Sequence, residues 1–83
     1  MLILYQRDNC HLCDLALAVL AEARLPAFDS VFIDDDAELE VRYGARVPVL
    51  RDEQREAEIS WPFDAAKVSA FLAGRSSSGQ ITS

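Results

Sequence analysis

The chain has 83 residues, 51% of them apolar, a formal charge of −6 and two cysteines. That length holds one domain and no more. The apolar share excludes a disordered chain, and the acidity excludes nucleic acid and anionic membranes as main partners, since phosphate binding needs clustered Lys and Arg.

Met1-Leu2-Ile3-Leu4-Tyr5 is a continuous apolar run of strand length. Such runs fit a strand buried on both faces at the centre of an α/β sheet. Leu12, Leu15, Ala16, Val19, Leu20 and Ala23 recur at spacings of three and four, the stripe of an amphipathic helix. Leu25-Pro26 is expected to stop it, because the residue before proline avoids helical geometry. A second strand is predicted over 28–33. Asp34-Asp35-Asp36 follows, and one of these aspartates suits the cap of a short helix over 37–43, with Gly44 as its C-terminal cap. No calcium-loop pattern accompanies the three aspartates, so capping explains them better than a metal.

A third strand is predicted over 46–51, with Pro48 near its start, and a fourth over 56–60. The polar turn Asp52-Glu53-Gln54-Arg55 makes the two a hairpin. Trp61-Pro62-Phe63 leads into a last helix with Asp64 as its N-cap, Val68, Phe71 and Leu72 as its buried face, and Gly74 as its stop. The domain is thus expected over 1–74, and the serine-rich segment 75–83 as a flexible tail. The order is β-α-β-α-β-β-α. A helix between the first two strands favours a parallel pair with a right-handed crossover, and the hairpin adds antiparallel strands. The fold class is α/β, a mixed four-stranded sheet flanked by helices.

Cys10-His11-Leu12-Cys13 stands between the first strand and the first helix. Cysteines at i and i+3 can bridge one turn, and a helix start offers free N–H groups and the positive end of the dipole, which stabilise a thiolate. A bridge over two residues staples almost nothing, so redox chemistry is its better use. The alternatives are half of a zinc site and inert buried thiols. Structural zinc takes four ligands, and the local set here is Cys10, Cys13 and His11. His11, when protonated, would favour a thiolate. Arg7 would add positive field, which Asp8 opposes. No charged region, apolar core and cleavage site precede the first strand, and the apolar runs fall far short of membrane-spanning length. The expected location is the cytoplasm.

Three features resemble the glutaredoxin branch of the thioredoxin-fold superfamily. The stretch from Tyr5 to Cys13 is similar to their first strand and active site, with a basic residue three before the first cysteine. Arg46-Val47-Pro48-Val49-Leu50 is similar to their Thr-Val-Pro segment. The element order and length match their minimal form. The likeness spans residues 1–74, and Tyr43 to Leu50 looks most like short bacterial glutaredoxin-like proteins.

The resemblance implies a small thiol–disulfide oxidoreductase with a thioredoxin-like fold, in which Cys10 attacks a disulfide and Cys13 resolves the intermediate. It implies that Arg7 and His11 tune the pair. It also implies a cis Pro48 facing the cysteines, which leaves the backbone of Val47 free to pair with an extended substrate. Trp61 is then core or groove wall, and Asp64 a remnant of the glutathione site. Expected partners are a protein disulfide or small thiol as substrate, and glutathione, a reductase or another thioredoxin-type protein as electron source. No bound cofactor or metal is needed, and a monomer suffices. Where glutaredoxins carry Gly-Gly before that aspartate, this chain has Trp61-Pro62-Phe63, so weakened glutathione binding is expected. Arg42 and Arg46 suit either a substrate carboxylate or solvent. Two further readings of the same motifs are a non-catalytic binding or redox-sensing module and a dimer sharing an iron–sulfur cluster.

Overall fold

The computed structural model describes residues 1–81, with side chains for 1–74. Every residue of β1 (Leu2–Gln6) is buried. There follow α1 (His11–Glu22), β2 (Asp29–Phe32), α2 (Ala37–Tyr43), β3 (Val49–Asp52), β4 (Ala57–Ser60) and α3 (Ala65–Ile81). The sheet runs β2-β1-β3-β4. β1 and β2 are parallel, and the other two pairs are antiparallel.

Strand alternation feeds two cores. Leu4 and its register partner Leu50 face one side of the sheet, with Ala16 and Leu20 of α1 and Phe63 and Val68 of the last segment. Tyr5 and its partner Val49 face the other, with Ile3, Ile33 and Tyr43 at the end of α2. β1 lies between both layers, which is why its sequence is an unbroken apolar run rather than an alternation. Burying each such side chain contributes about 1.5–3 kcal/mol. This is the thioredoxin-like fold. Among the described residues, no helix is long and apolar enough to cross a membrane.

Three boundaries differ from expectation by more than one residue. α1 does not run up to Leu25-Pro26; it ends at Glu22. Arg24 takes a left-handed φ of 57°. The Leu25 N–H then donates to Leu20 O at 3.1 Å and the Arg24 N–H to Ala21 O at 3.1 Å. This is the paired-bond helix stop usually built on glycine. β3 begins at Val49, not at 46, because the N–H groups of Arg46 and Val47 both turn back to Tyr43 O, at 2.8 and 3.0 Å. Those two residues close α2 and are not free to pair as a strand.

The third difference is Gly74, which does not stop the last helix: α3 continues to Ile81. No glycine described has a positive φ, and a right-handed glycine costs a helix only about 1 kcal/mol relative to alanine. Its place is explained by approach: a Cβ there would stand 2.8 Å from Arg55 Nη1. The segment expected as a tail is therefore helical as far as Ile81, and residues 82–83 lie outside the described residues. Gly44 does cap α2, but in right-handed geometry at φ −50°.

Candidate functional site

Cys10 is the N-cap of α1, with extended φ and ψ of −106° and 112°. Its sulfur does what a serine or aspartate oxygen usually does there: Cys10 Sγ accepts the Cys13 N–H at 3.2 Å. Its carbonyl accepts the Asp14 N–H at 3.2 Å and opens the helix ladder. Cys13 lies one turn in, on the face of α1 that also buries Ala16 and Leu20, and only 2% of its surface is exposed. The Arg7 N–H donates to Cys13 Sγ at 3.5 Å. Burial, followed by the hydrogen bond with Cys10, pushes the Cys13 thiol up to about 11. Both cysteines are free thiols. The pair is thus asymmetric: Cys10 is half-exposed and hydrogen-bonded by a helix-start amide, while Cys13 is buried and holds its proton.

The loop ahead of Cys10 is pinned by its own polar groups. Asn9 turns at a φ of 53°. The Asp8 N–H donates to Asp34 Oδ2 at 2.8 Å, and the Asn9 N–H to Asp8 Oδ1 at 3.1 Å. The Arg7 guanidinium turns to α2, where Nη1 donates to Glu40 Oε2 at 2.9 Å and Nη2 to Glu40 Oε1 and to Gly44 O, the latter at 3.1 Å. Its pKa is raised first by the hydrogen bond to Glu40. The side chain ties the loop to α2, and the backbone of the same residue touches Cys13. A Cβ at Gly44 would meet Glu40 Oε1 at 2.6 Å, so glycine there leaves room for this pair. His11 is the exposed first residue of α1.

Val47–Pro48 is a cis bond, and so is Trp61–Pro62. Tyr5 pairs with Val49 and Val49 with Ser60. One step further along the sheet, Pro48 therefore follows beside Gln6, and the Trp61 N–H donates to Pro48 O at 3.0 Å. This is the end of the sheet from which the chain leaves β1 for Cys10. Trp61 is half-buried, packed against the Leu4 and Leu50 core and edge-on to Phe63, with ring centroids 5.1 Å apart. Asp64 caps α3, its Oδ1 accepting the Lys67 N–H at 2.8 Å.

A cleft of about 460 Å³ that contains both cysteines opens on the other side, between α1 and β2. Asp8, Asp14, Leu17 and Phe32 line it; Val47, Pro48, Trp61 and Asp64 do not. A separate hollow of about 450 Å³ lies over Pro62, Phe63, Asp64 and Lys67. Among the described residues, no group of three or more His, Cys, Asp or Glu is placed to hold a metal.

On the α2 face, Glu58 has a role that no spacing along the chain signals. It accepts from Tyr43 at 3.3 Å, from Arg51 at 3.1 Å and pairs with Arg46 at 2.9 Å. Although burial pushes its carboxyl up, Arg46 and Arg51 hold it below the usual range. Arg42 and Arg46 both lie over the Tyr43 ring, at 5.9 and 5.2 Å. These arginines are exposed but engaged; strand pairing sets Arg51 opposite Glu58, and Arg46 reaches the same carboxylate from the end of α2.

The chain is similar to known proteins over most of its length. Residues 1–73 match the model of the Glutaredoxin-like domain (DUF836). The X-ray structure of a protein from X. campestris is 61% identical, with a TM-score of 0.85 over 89% of this chain and 97% of that one. Its solution structure is 62% identical, with a TM-score of 0.81 over 88% and 92%. The solution structure of a protein from Nitrosomonas europaea is 28% identical, with a TM-score of 0.71 over 84% and 87%. No curated protein matches the chain. With a likeness that runs from β1 into α3 and takes in both cysteines, this chain belongs to the glutaredoxin-like domain family.

Proposed function

We propose that the protein is a thiol–disulfide oxidoreductase whose nucleophile is Cys10 and whose resolving thiol is Cys13. The observation that carries this reading is the asymmetry of the pair. The Cys13 N–H points at Cys10 Sγ at 3.2 Å, while Cys13 itself is kept protonated by burial, with its thiol pushed up to about 11. A thiolate accepts that N–H better than a thiol does, and the thiolate is the attacking species.

Cys10 gives up its proton and, as the thiolate, attacks one sulfur of a substrate R–S–S–R′. A Cys10–S–S–R bond forms, the substrate disulfide breaks, and R′–S⁻ leaves and takes up a proton. Cys13 then loses its proton and attacks Cys10 Sγ. The Cys10–Cys13 disulfide forms, and R–S⁻ leaves and is protonated. Two electrons and two protons have passed from the pair to the substrate. A second dithiol, or two glutathione thiols, returns them. The chemistry requires no bound cofactor or metal, and it suits a reducing compartment such as the cytoplasm.

The test is alkylation of the single-thiol variants at neutral pH, followed by oxidation of the wild type. Cys10 in Cys13→Ser should react at least tenfold faster than Cys13 in Cys10→Ser. The wild-type pair should close to an intramolecular disulfide that protein or peptide disulfides regenerate during turnover. Equal alkylation rates would overturn the assignment of roles. A bridge that forms reversibly without any turnover would instead mark a redox-reporting module.

A further inference from the structure

We propose that substrates dock on the cleft between α1 and β2, and that this cleft selects a polypeptide disulfide flanked by basic and apolar residues. The inference rests on the oxidoreductase reading and adds the substrate class.

The cleft that contains Cys10 and Cys13 has two exposed apolar residues in its wall, Phe32 at 53% and Leu17 at 37% exposure. Phe32 is the register partner of Gln6, on the edge strand β2. It is therefore level with the end of β1, from which the chain leads into the Cys10 loop. A second hollow of about 580 Å³ continues past Phe32 to Asp34 and Asp35. An exposed phenylalanine between two open clefts beside a reactive thiol is a docking surface for an apolar side chain.

Charge decides which chain docks. Asp8 and Asp14 line the cysteine cleft, and Asp34 and Asp35 its continuation. The one arginine in the wall, Arg7, has its guanidinium paired with Glu40. The rim is thus acidic, in a chain that is itself at −6. A peptide with Lys or Arg next to its cysteine is drawn to this rim and an anionic one is repelled, an effect that salt screens.

The experiment uses symmetric disulfides of short peptides in which cysteine is flanked by Lys, Ser or Glu. Pre-reduced protein is mixed with each under single turnover, so no other reductant is needed. Each rate is divided by that of dithiothreitol with the same peptide, which removes the intrinsic reactivity of the disulfide. The Lys peptide should be reduced at least tenfold faster than the Glu peptide at low salt, and the ratio should fall toward one at 0.5 M salt, where charges are screened within about 4–5 Å. Asp14→Asn with Asp35→Asn should lower the Lys-to-Glu ratio severalfold, and Phe32→Ser should slow the Lys peptide. Equal normalised rates for the three peptides overturn the docking proposal and leave the oxidoreductase reading standing. Failure to reduce even the Ser peptide overturns both.

Discussion

At the scale of single residues, the two cysteines have opposite surroundings, and that difference has a pH signature. Burial, then the hydrogen bond with Cys10, raises the Cys13 thiol from 9.0 to about 11. The folded protein therefore holds this proton more tightly than the unfolded chain does. The resulting stability is fully present below pH 9 and is lost as pH rises to about 11. Reduced protein should lose about 2–3 kcal/mol across that window from this group. Tyr5 and Tyr43, also raised by burial, titrate in the same direction. Cys13→Ser separates the contributions: denaturant unfolding at pH 8 and pH 11 should show a smaller loss in the variant than in the wild type. Equal losses would mean that Cys13 is not held protonated.

At the scale of elements, the end of one helix and the docking of another depend on unusual partners. α1 stops on Arg24 in left-handed geometry, where a side chain costs about 1–2 kcal/mol that glycine does not. Arg24→Gly should raise stability by about 0.5–1 kcal/mol, after the extra unfolded-state freedom of glycine is counted. The readout is a higher denaturant midpoint at an unchanged slope. α3 is tied to the β3–β4 hairpin by Arg55. Its Nε donates to Asp52 Oδ2 at 3.0 Å, its Nη2 to Phe71 O at 2.9 Å, and its guanidinium lies 4.5 Å from the Phe71 ring centroid. Asp52 is 0% exposed. Arg55→Ala leaves that buried carboxylate without its arginine and should destabilise the fold by about 2 kcal/mol. Arg55→Lys should recover only part of this, since lysine lacks the fork that reaches both partners. An unchanged midpoint in Arg55→Ala would show that the clamp contributes nothing.

At the scale of the whole molecule, groups that would serve glutathione have other occupations. Arg7 is paired with Glu40 and Arg46 with Glu58. Asp64 Oδ1 caps α3, and Pro62 offers no N–H. Turnover of a glutathione mixed disulfide should therefore be at least tenfold slower than reduction of the Lys-flanked peptide disulfide. The measurement is kcat/KM for both substrates with one recycling system. Comparable values would show that glutathione finds its contacts elsewhere in the site.

Local sequence determined the parts of this protein that depend on neighbours along the chain. The apolar run of β1, the spacing of Ala16 and Leu20, the aspartate caps and the Cys10–Cys13 turn are all fixed by periodicity and by side chains within a few residues of their partners. Tertiary structure decided the rest, because it rests on residues brought together across the sheet. Arg7 reads as a charge beside the cysteines, but Glu40, 33 positions away, takes its guanidinium. Gly74 reads as a helix stop, but Arg55 approaches it from the hairpin and the helix continues. The wall of the cysteine cleft is decided in the same way. Val47, Pro48 and Trp61 do share the sheet end near the cysteines, yet the cleft around the pair is walled by Phe32 of the edge strand. Nothing in the spacing of the sequence links residue 32 to residue 10. Only the β1–β2 register, which sets Gln6 opposite Phe32, puts them together.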